Sequence, residues 1–369
     1  CVHLLIYYIY IMLLQCILCN NNNMVSVLGD VDPDDLGRTL THEHLVMNFT
    51  HFYRKPPTCF ADKFEGFNLS NAGFIRQYPH CSKYNLIFND DQAYDAVLED
   101  LREYRKYGGG TIVENSTHGL ERDVNKYVQL STETGVRIVA GTGFYIADMQ
   151  SADRLLAHKA DLYDLMLKEI TEGCLEAPGV KAGFIGEIAS VWPITDFERK
   201  VIRTVGELQE QLGCGVSFHP HRDAKAPFEI LRLYAEAGGR MNKAVMSHLD
   251  RTILDEEKLK EFAELGSYCQ FDLFGIEVSY YQLNEASDMP SDAQRLKLMR
   301  SLVDEGKADR ILMSHDIHTK HRLTKFGGHG YSHILNNVVP RMKQRGFNQE
   351  NIDMITLDNP ANWLAMPKN

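Results

Sequence analysis

The sequence predicts an α/β protein, a (β/α)₈ TIM barrel formed as one unit by residues 24–369. Three observations carry this reading. Short β-rich runs alternate with longer helical patterns about eight times. Many helical stretches stop at a glycine. The histidine and carboxylate clusters fall at the ends of the short runs.

The candidate strands are 38–45, 110–115, 136–141, 182–188, 215–219, 244–249, 267–272 and 310–316. Stretches 90–107, 152–172, 195–212, 255–265 and 293–305 carry apolar residues at the three-to-four spacing of a helix. Gly108, Gly135, Gly213, Gly238 and Gly266 sit where helix C-caps lead into a following strand. Strand after helix, repeated, implies a parallel sheet with helical crossovers. Such units could close into a barrel or open into a doubly wound sheet. A nucleotide-binding open sheet would concentrate glycines after its first strand. Here the first strand ends in Thr41-His42-Glu43-His44, and further His, Glu and Asp residues end the fourth, fifth, sixth and eighth strands. Convergence from many strand ends is the barrel pattern. Segment 50–89, holding Pro56, Pro57 and Pro79, is a long insertion of the kind that is functional or mobile.

The chain has 369 residues, 44% hydrophobic and 24% charged, an ordinary globular composition. Its formal net charge of -11 argues against nucleic acid or an anionic membrane as partner, since both would be repelled. An anionic small molecule would then need a local cation. The 8 cysteines lack the dense spacing of a disulfide scaffold and read as reduced thiols of a cytoplasmic protein. Cys16 and Cys19 form a C-x-x-C inside an apolar run, with no second pair to complete a zinc ribbon. Residues 4–19 are nearly all apolar and stop at Asn20-Asn21-Asn22-Asn23. That run is shorter than the roughly 20 residues needed to span a bilayer, and it has neither basic flank nor small-residue cleavage site. Residues 1–23 are therefore read as a non-native or disordered tail, with Met24 as an internal start.

His42 and His44 stand two apart on a strand, so both side chains point to one face, into the barrel mouth. Alone, an H-x-H pair is a weak metal signal. The fourth strand buries Glu187 at the end of an apolar run, costly for a carboxylate unless a cation or metal accompanies it. The fifth strand ends in His219, closed by Pro220, and the sixth in Ser247-His248-Leu249-Asp250. On the eighth, alternation puts Leu312, Ser314, Asp316 and His318 on the lumen side. Each histidine by itself reads as a satisfied core residue. Together, His42, His44, Glu187, His219, His248 and Asp316 are what two divalent ions sharing a bridging oxygen require. Mixed imidazole and carboxylate donors favour zinc, with manganese, cobalt or iron as alternatives.

These motifs carry a resemblance. From about Val27 to Trp363 the chain resembles the phosphotriesterase-related proteins of the amidohydrolase superfamily. The segments that carry it are Gly37-Arg38-Thr39-Leu40-Thr41-His42-Glu43-His44, Phe184-Ile185-Gly186-Glu187-Ile188, Met246-Ser247-His248-Leu249-Asp250-Arg251-Thr252, Ser314-His315-Asp316-Ile317-His318-Thr319-Lys320 and Gly327-Gly328-His329-Gly330-Tyr331-Ser332-His333. The resemblance implies that His42 and His44 hold one ion, that His219 and His248 hold the other, and that Glu187 bridges both. It implies that Asp316 ligates the first ion and handles the proton. Many relatives bridge the metals with a carboxylated lysine. Here Lys181 lies about 20 Å back along the strand, so Glu187 must bridge directly. His221 is a second departure, standing where the resemblance leads one to expect a small residue.

The implied chemistry is hydrolysis by a metal-bridging hydroxide, with Asp316 as base and then acid. For this subgroup the resemblance implies cleavage of N-acyl amides, N-acetyltaurine foremost. Arg222, Arg251, Lys320 and His318 follow site strands and are candidates to touch the substrate's acidic end, although each is more often a solvated or paired charge. Tyr145, Trp192 and Phe274 are candidate pocket walls. A lactonase, esterase or phosphotriesterase using the same ions is the enzyme alternative, and a metal-stabilised scaffold is the non-catalytic one. The expected partner is a small molecule. A homodimer is compatible with a sequence that leaves oligomeric state open.

Overall fold

The computed structural model describes residues 22–278 and 281–367. Eight parallel strands run in the order β3 (Arg38–Glu43), β4 (Gly109–Glu114), β5 (Arg137–Thr142), β6 (Phe184–Ala189), β7 (Val216–His219), β8 (Ala244–Met246), β9 (Tyr268–Phe271) and β10 (Ile311–Met313). Backbone bonds from Asp316 N–H to His42 O (3.1 Å) and from His44 N–H to Ile317 O (3.3 Å) join the last strand end to the first. Strand periodicity sorts the core into two layers. Val113, Val139, Phe184, Val245, Tyr268 and Leu312 pack together inside the barrel. Their neighbours Ile112, Ile138, Ile185, Ile311 and Met313 pack outward against the helices. This is the alternation expected on the eighth strand.

The opposite end of the barrel is closed by a small antiparallel sheet of β1 (Asn22–Ser26), β2 (Gly29–Val31) and β11 (Met366–Pro367). Asn22 and Asn23, assigned to the tail from sequence, pair there with Pro367 and Met366. Residues 1–21 lie outside the described residues. Lys181 is exposed and borders this closed end, well away from the mouth, as its spacing from Glu187 requires.

Several boundaries moved for identifiable reasons. The sixth and eighth strands stop at Met246 and Met313. His248 and Asp316 beyond them adopt left-handed backbone conformations, φ 58 and φ 56. The 152–172 helix is two helices, Ala152–Leu156 and Lys159–Thr171. The Asp161 carboxylate accepts the His158 N–H at 3.0 Å and so starts the second one. Helices Val124–Thr134 and Ala226–Glu236 precede Gly135 and Gly238, two of the glycines expected to end helices, although neither stretch was bounded from its apolar spacing; the first is rich in polar and β-branched residues. Insertion 50–89 folds into short helical turns around Phe64, Ile75 and Cys81, forming a cap beside the mouth. Among the described residues no helix is long and apolar enough to cross a membrane. Cys59, Cys81, Cys174, Cys214 and Cys269 are free.

Candidate active site

The strand ends bring the six expected ligands into one buried cluster. His44 Nε2 lies 3.1 Å from Asp316 Oδ1, and His42 Nε2 lies 3.6 Å from the same oxygen. Glu187 stands between the two halves. Its Oε1 is 3.7 Å from His44 Nε2, and its Oε2 is 3.5 Å from His42 Nε2, 2.8 Å from His219 Nδ1 and 3.8 Å from His248 Nε2. His219 Nδ1 and His248 Nε2 are 2.9 Å apart. Two triads, His42-His44-Asp316 and His42-Glu187-His248, have donor atoms within 4.8 Å of one another.

Local structure sets these positions. Glu187 is fixed by its own backbone, its N–H donating to Asn115 O (3.2 Å) and its carbonyl accepting from the Thr117 hydroxyl (3.1 Å). Gly186 before it has φ +146, and a Cβ there would meet Ser217 O at 2.7 Å. Only glycine fits that approach. His248 and Asp316 are two of the three non-glycine residues with positive φ among the described residues, and such backbone strain concentrates at functional sites.

A second layer orients the rings. His248 Nδ1 bonds Asp272 Oδ1 at 2.7 Å, His42 Nδ1 lies 3.1 Å from Ser247 Oγ, and His44 Nδ1 lies 2.9 Å from Ser116 Oγ. Ser116 Oγ donates onward to Glu114 at 2.7 Å, so it accepts from His44. Each of these three rings therefore turns Nε2 toward the cluster, the arrangement of metal-binding histidines. His219 is turned the other way, with Nδ1 toward Glu187 and Nε2 at 3.2 Å from Arg251 Nη2.

The electrostatics ask for a cation. Burial holds the His42 ring down to about 3, and burial together with Arg251 holds His248 down to about 4, so both are neutral as ligands must be. Burial also lowers His219. For His44 burial acts downward too, but the Asp316 hydrogen bond and the Glu187 and Asp316 charges outweigh it and lift the ring to about 9. Burial pushes the Glu187 carboxyl up; for Asp316 burial is overcome by His318 and His44, which hold it well below the usual range. His42 Nε2, wholly buried, has no hydrogen-bond partner. An orphaned ring nitrogen between two carboxylates fits a metal ion.

The cluster opens into a cavity at the barrel mouth. Arg222, Arg251 and His318 line it, as does Tyr145, whose ring meets His219 edge-on with centroids 5.2 Å apart. Lys320 does not reach it. The ammonium pairs with Asp90 and lies over the Tyr84 ring at 3.9 Å, buried away from the cavity. Trp192 and Phe274 are absent from the lining, and Phe274 is fully buried in the core. His221 turns into its own loop, its Nδ1 accepting the Asp223 N–H at 3.1 Å. Sequence reasoning missed Asp272, Glu114, Glu43 and the cap residues Phe49, Pro79 and His80. Of these, Asp272, Glu114 and Glu43 carried a usable signal, a carboxylate at or near a strand end.

A parallel barrel with this donor set at one mouth is the architecture of metal-dependent hydrolases. The chain belongs to the Phosphotriesterase family, whose model matches residues 22–364. That family uses a binuclear divalent metal centre, and the residues gathered here could hold one. The chain is 55% identical to a phosphotriesterase-related protein of Drosophila ananassae over 343 residues, 92% of this chain and 98% of that protein. Among solved structures, a resiniferatoxin-binding protein from Rhodobacter sphaeroides matches with a TM-score of 0.88 at 27% identity, over 93% of this chain and 94% of that one. The phosphotriesterase homology protein of Escherichia coli, complexed with phosphate in its active site, matches with a TM-score of 0.70 at 25% identity, over 90% and 99%.

Proposed function

We propose that the protein hydrolyses the amide bond of small anionic N-acyl compounds, N-acetyltaurine foremost, giving taurine and acetate. The observation that carries this reading is the pair Arg222 and Arg251. Both line the cavity above the ligand cluster, and among the described residues neither is ion-paired with a carboxylate. Arg222 donates to Tyr281 Oη from Nε (3.1 Å) and Nη2 (2.9 Å). Arg251 donates to Pro220 O at 3.3 Å. One buried and one half-buried cation without counter-charges, in a protein of net charge -11, form a receptor for one oxyanion. The phosphate in the Escherichia coli relative is also a tetrahedral oxyanion.

His42, His44 and Asp316 would hold one ion, His219 and His248 the other, with Glu187 shared. Zinc suits the donor mixture, with manganese, cobalt or iron as alternative occupants. When bound, the ions supply Lewis acidity and a water acidic enough to react near neutral pH. Asp316 contacts the ring nitrogens through Oδ1, which leaves Oδ2 to take the proton of the attacking water. That proton passes to the leaving nitrogen as the C–N bond breaks, and the new C–O bond leaves a carboxylate and an amine. In the present tautomer His219 carries its proton on Nδ1. His219 would offer Nδ1 to a metal, and Arg251, whose Nη2 lies 3.2 Å from His219 Nε2, would offer its guanidinium to the substrate. Free cysteines suit the reducing cytosol, where we place the enzyme.

The test is hydrolysis of N-acetyltaurine, an uncharged N-acetyl amide, a lactone and an organophosphate by one metal-loaded preparation, alongside Arg222→Ala and Arg251→Ala. The reading expects the anionic amide to be the best substrate. Removing the buried Arg251 should cost roughly 2 to 5 kcal/mol with that substrate, removing the half-buried Arg222 less, and either change should cost little with the uncharged one. Preference for the lactone or organophosphate would overturn it in favour of those chemistries.

A further inference from the structure

The 50–89 insertion delivers one polar ring to the cavity that nothing so far employs. His80 lines the same space as Arg222, Tyr281 and Asp316, and is only 4% exposed. Its backbone is pinned on both sides. The N–H donates to Gln282 Oε1 at 3.2 Å, and the carbonyl accepts the Arg54 N–H at 2.8 Å. The preceding carbonyl, Pro79 O, accepts from Asn85 Nδ2 at 2.9 Å, and Asn85 Oδ1 accepts the His321 N–H at 2.8 Å. The insertion is thus tied both to the segment after β9 and to the one after β10. The ring itself has no such partners. Among the described residues it makes no hydrogen bond, Nδ1 is enclosed without one, and the ring leans on Phe49 with centroids 6.1 Å apart. A buried polar group left unpaired on a rigidly held backbone is destabilising unless a ligand completes it.

We infer that His80 is a specificity residue, donating a hydrogen bond to the terminal oxyanion of the substrate and favouring a sulfonate over a carboxylate. This rests on the anionic-amide reading above. A sulfonate presents three oxygens in a tetrahedral array, a carboxylate two in a plane. Arg222 follows β7, Arg251 follows β8, and His80 comes from the insertion, so donors approach from three separate elements. Burial beside His318 and Arg222 keeps the His80 ring neutral, down to about 3. A neutral N–H suits the third position, because two guanidinium groups already more than offset the single negative charge.

The experiment compares the wild-type enzyme, His80→Phe and His80→Gln, all metal-loaded, on N-acetyltaurine, N-acetyl-β-alanine and an uncharged N-acetyl amide. Calorimetric binding of the products taurine and β-alanine gives a readout independent of turnover. The wild type should prefer the taurine conjugate. His80→Phe, which keeps a ring against Phe49 but has no donor, should lower that preference roughly tenfold, through KM and with the same shift in product binding. The loss on the uncharged amide should be clearly smaller than on the taurine conjugate, and His80→Gln should restore part of the preference. An unchanged sulfonate-to-carboxylate ratio in His80→Phe, or an equal loss on all three substrates, would overturn the inference while leaving the amide hydrolase reading intact. A wild type that cleaves neither anionic amide would overturn both.

Discussion

The carboxylate of Glu43 accepts both the backbone N–H and the Nδ1–H of His315, each at 2.8 Å. It also accepts the Ser314 hydroxyl at 2.7 Å and the Ile317 N–H at 2.9 Å. One buried side chain between His42 and His44 therefore grips the chain on both sides of Asp316. That grip holds the left-handed backbone at Asp316 and sets its carboxylate opposite the two histidines of the first strand.

Glu43→Gln places an amide N–H among groups that are all donors. The expected outcome is a loss of about 2 to 4 kcal/mol in urea unfolding, typical of a broken buried charged network. Bound metal and activity should fall with it. Unchanged unfolding and metal content would show that Asp316 is held by other means.

Gly186→Ala should also be damaging, although it adds only one methyl group. The added Cβ meets Ser217 O at 2.7 Å and Ser217 Cβ at 2.8 Å, at a φ of +146. The strand would have to shift at the residue that delivers Glu187. Thermal melting should show a loss of roughly 1 to 3 kcal/mol from overpacking, with metal affinity reduced.

A pH effect is expected away from the metal cluster. Glu169 is fully buried and bonds Arg122 at 2.7 Å, His118 at 3.2 Å and the Thr142 hydroxyl. Burial alone would raise its pKa; His118, Arg122 and Thr142 reverse that and hold the carboxyl at about 2, against 4.5 for the free group. A depressed folded pKa gives stability that is complete above 4.5 and is lost as pH falls toward 2. The gap is worth about 3 kcal/mol. Between those limits the wild type should lose stability to urea more steeply than Glu169→Gln. Parallel curves would refute the assignment.

The fold and the clustering of the candidate ligands were legible because their signals are local. Alternation along a strand puts His42 and His44 on one face, Pro220 marks where the strand of His219 stops, and a lone Glu187 ending an apolar run has few explanations. What was hidden depends on distant pairing. Ser116 and Ser247 are ordinary residues until the barrel closes and sets them behind the histidines. Lys320 follows a site strand as closely as Arg251 does, yet Asp90, which caps the helix Asp91–Lys106 through Ala93, captures it. His80 lies in an insertion with no periodic pattern, so nothing in its neighbourhood pointed to the cavity.

The central claim is that His42, His44, Glu187, His219, His248 and Asp316 form a two-metal centre. Elemental analysis of protein expressed with added metal and purified without chelator tests it most directly. The account predicts roughly two divalent ions per chain, falling below one in Glu187→Ala, which removes the shared ligand. Protein that carries no stoichiometric metal, or a Glu187→Ala variant that keeps the full complement, would contradict it.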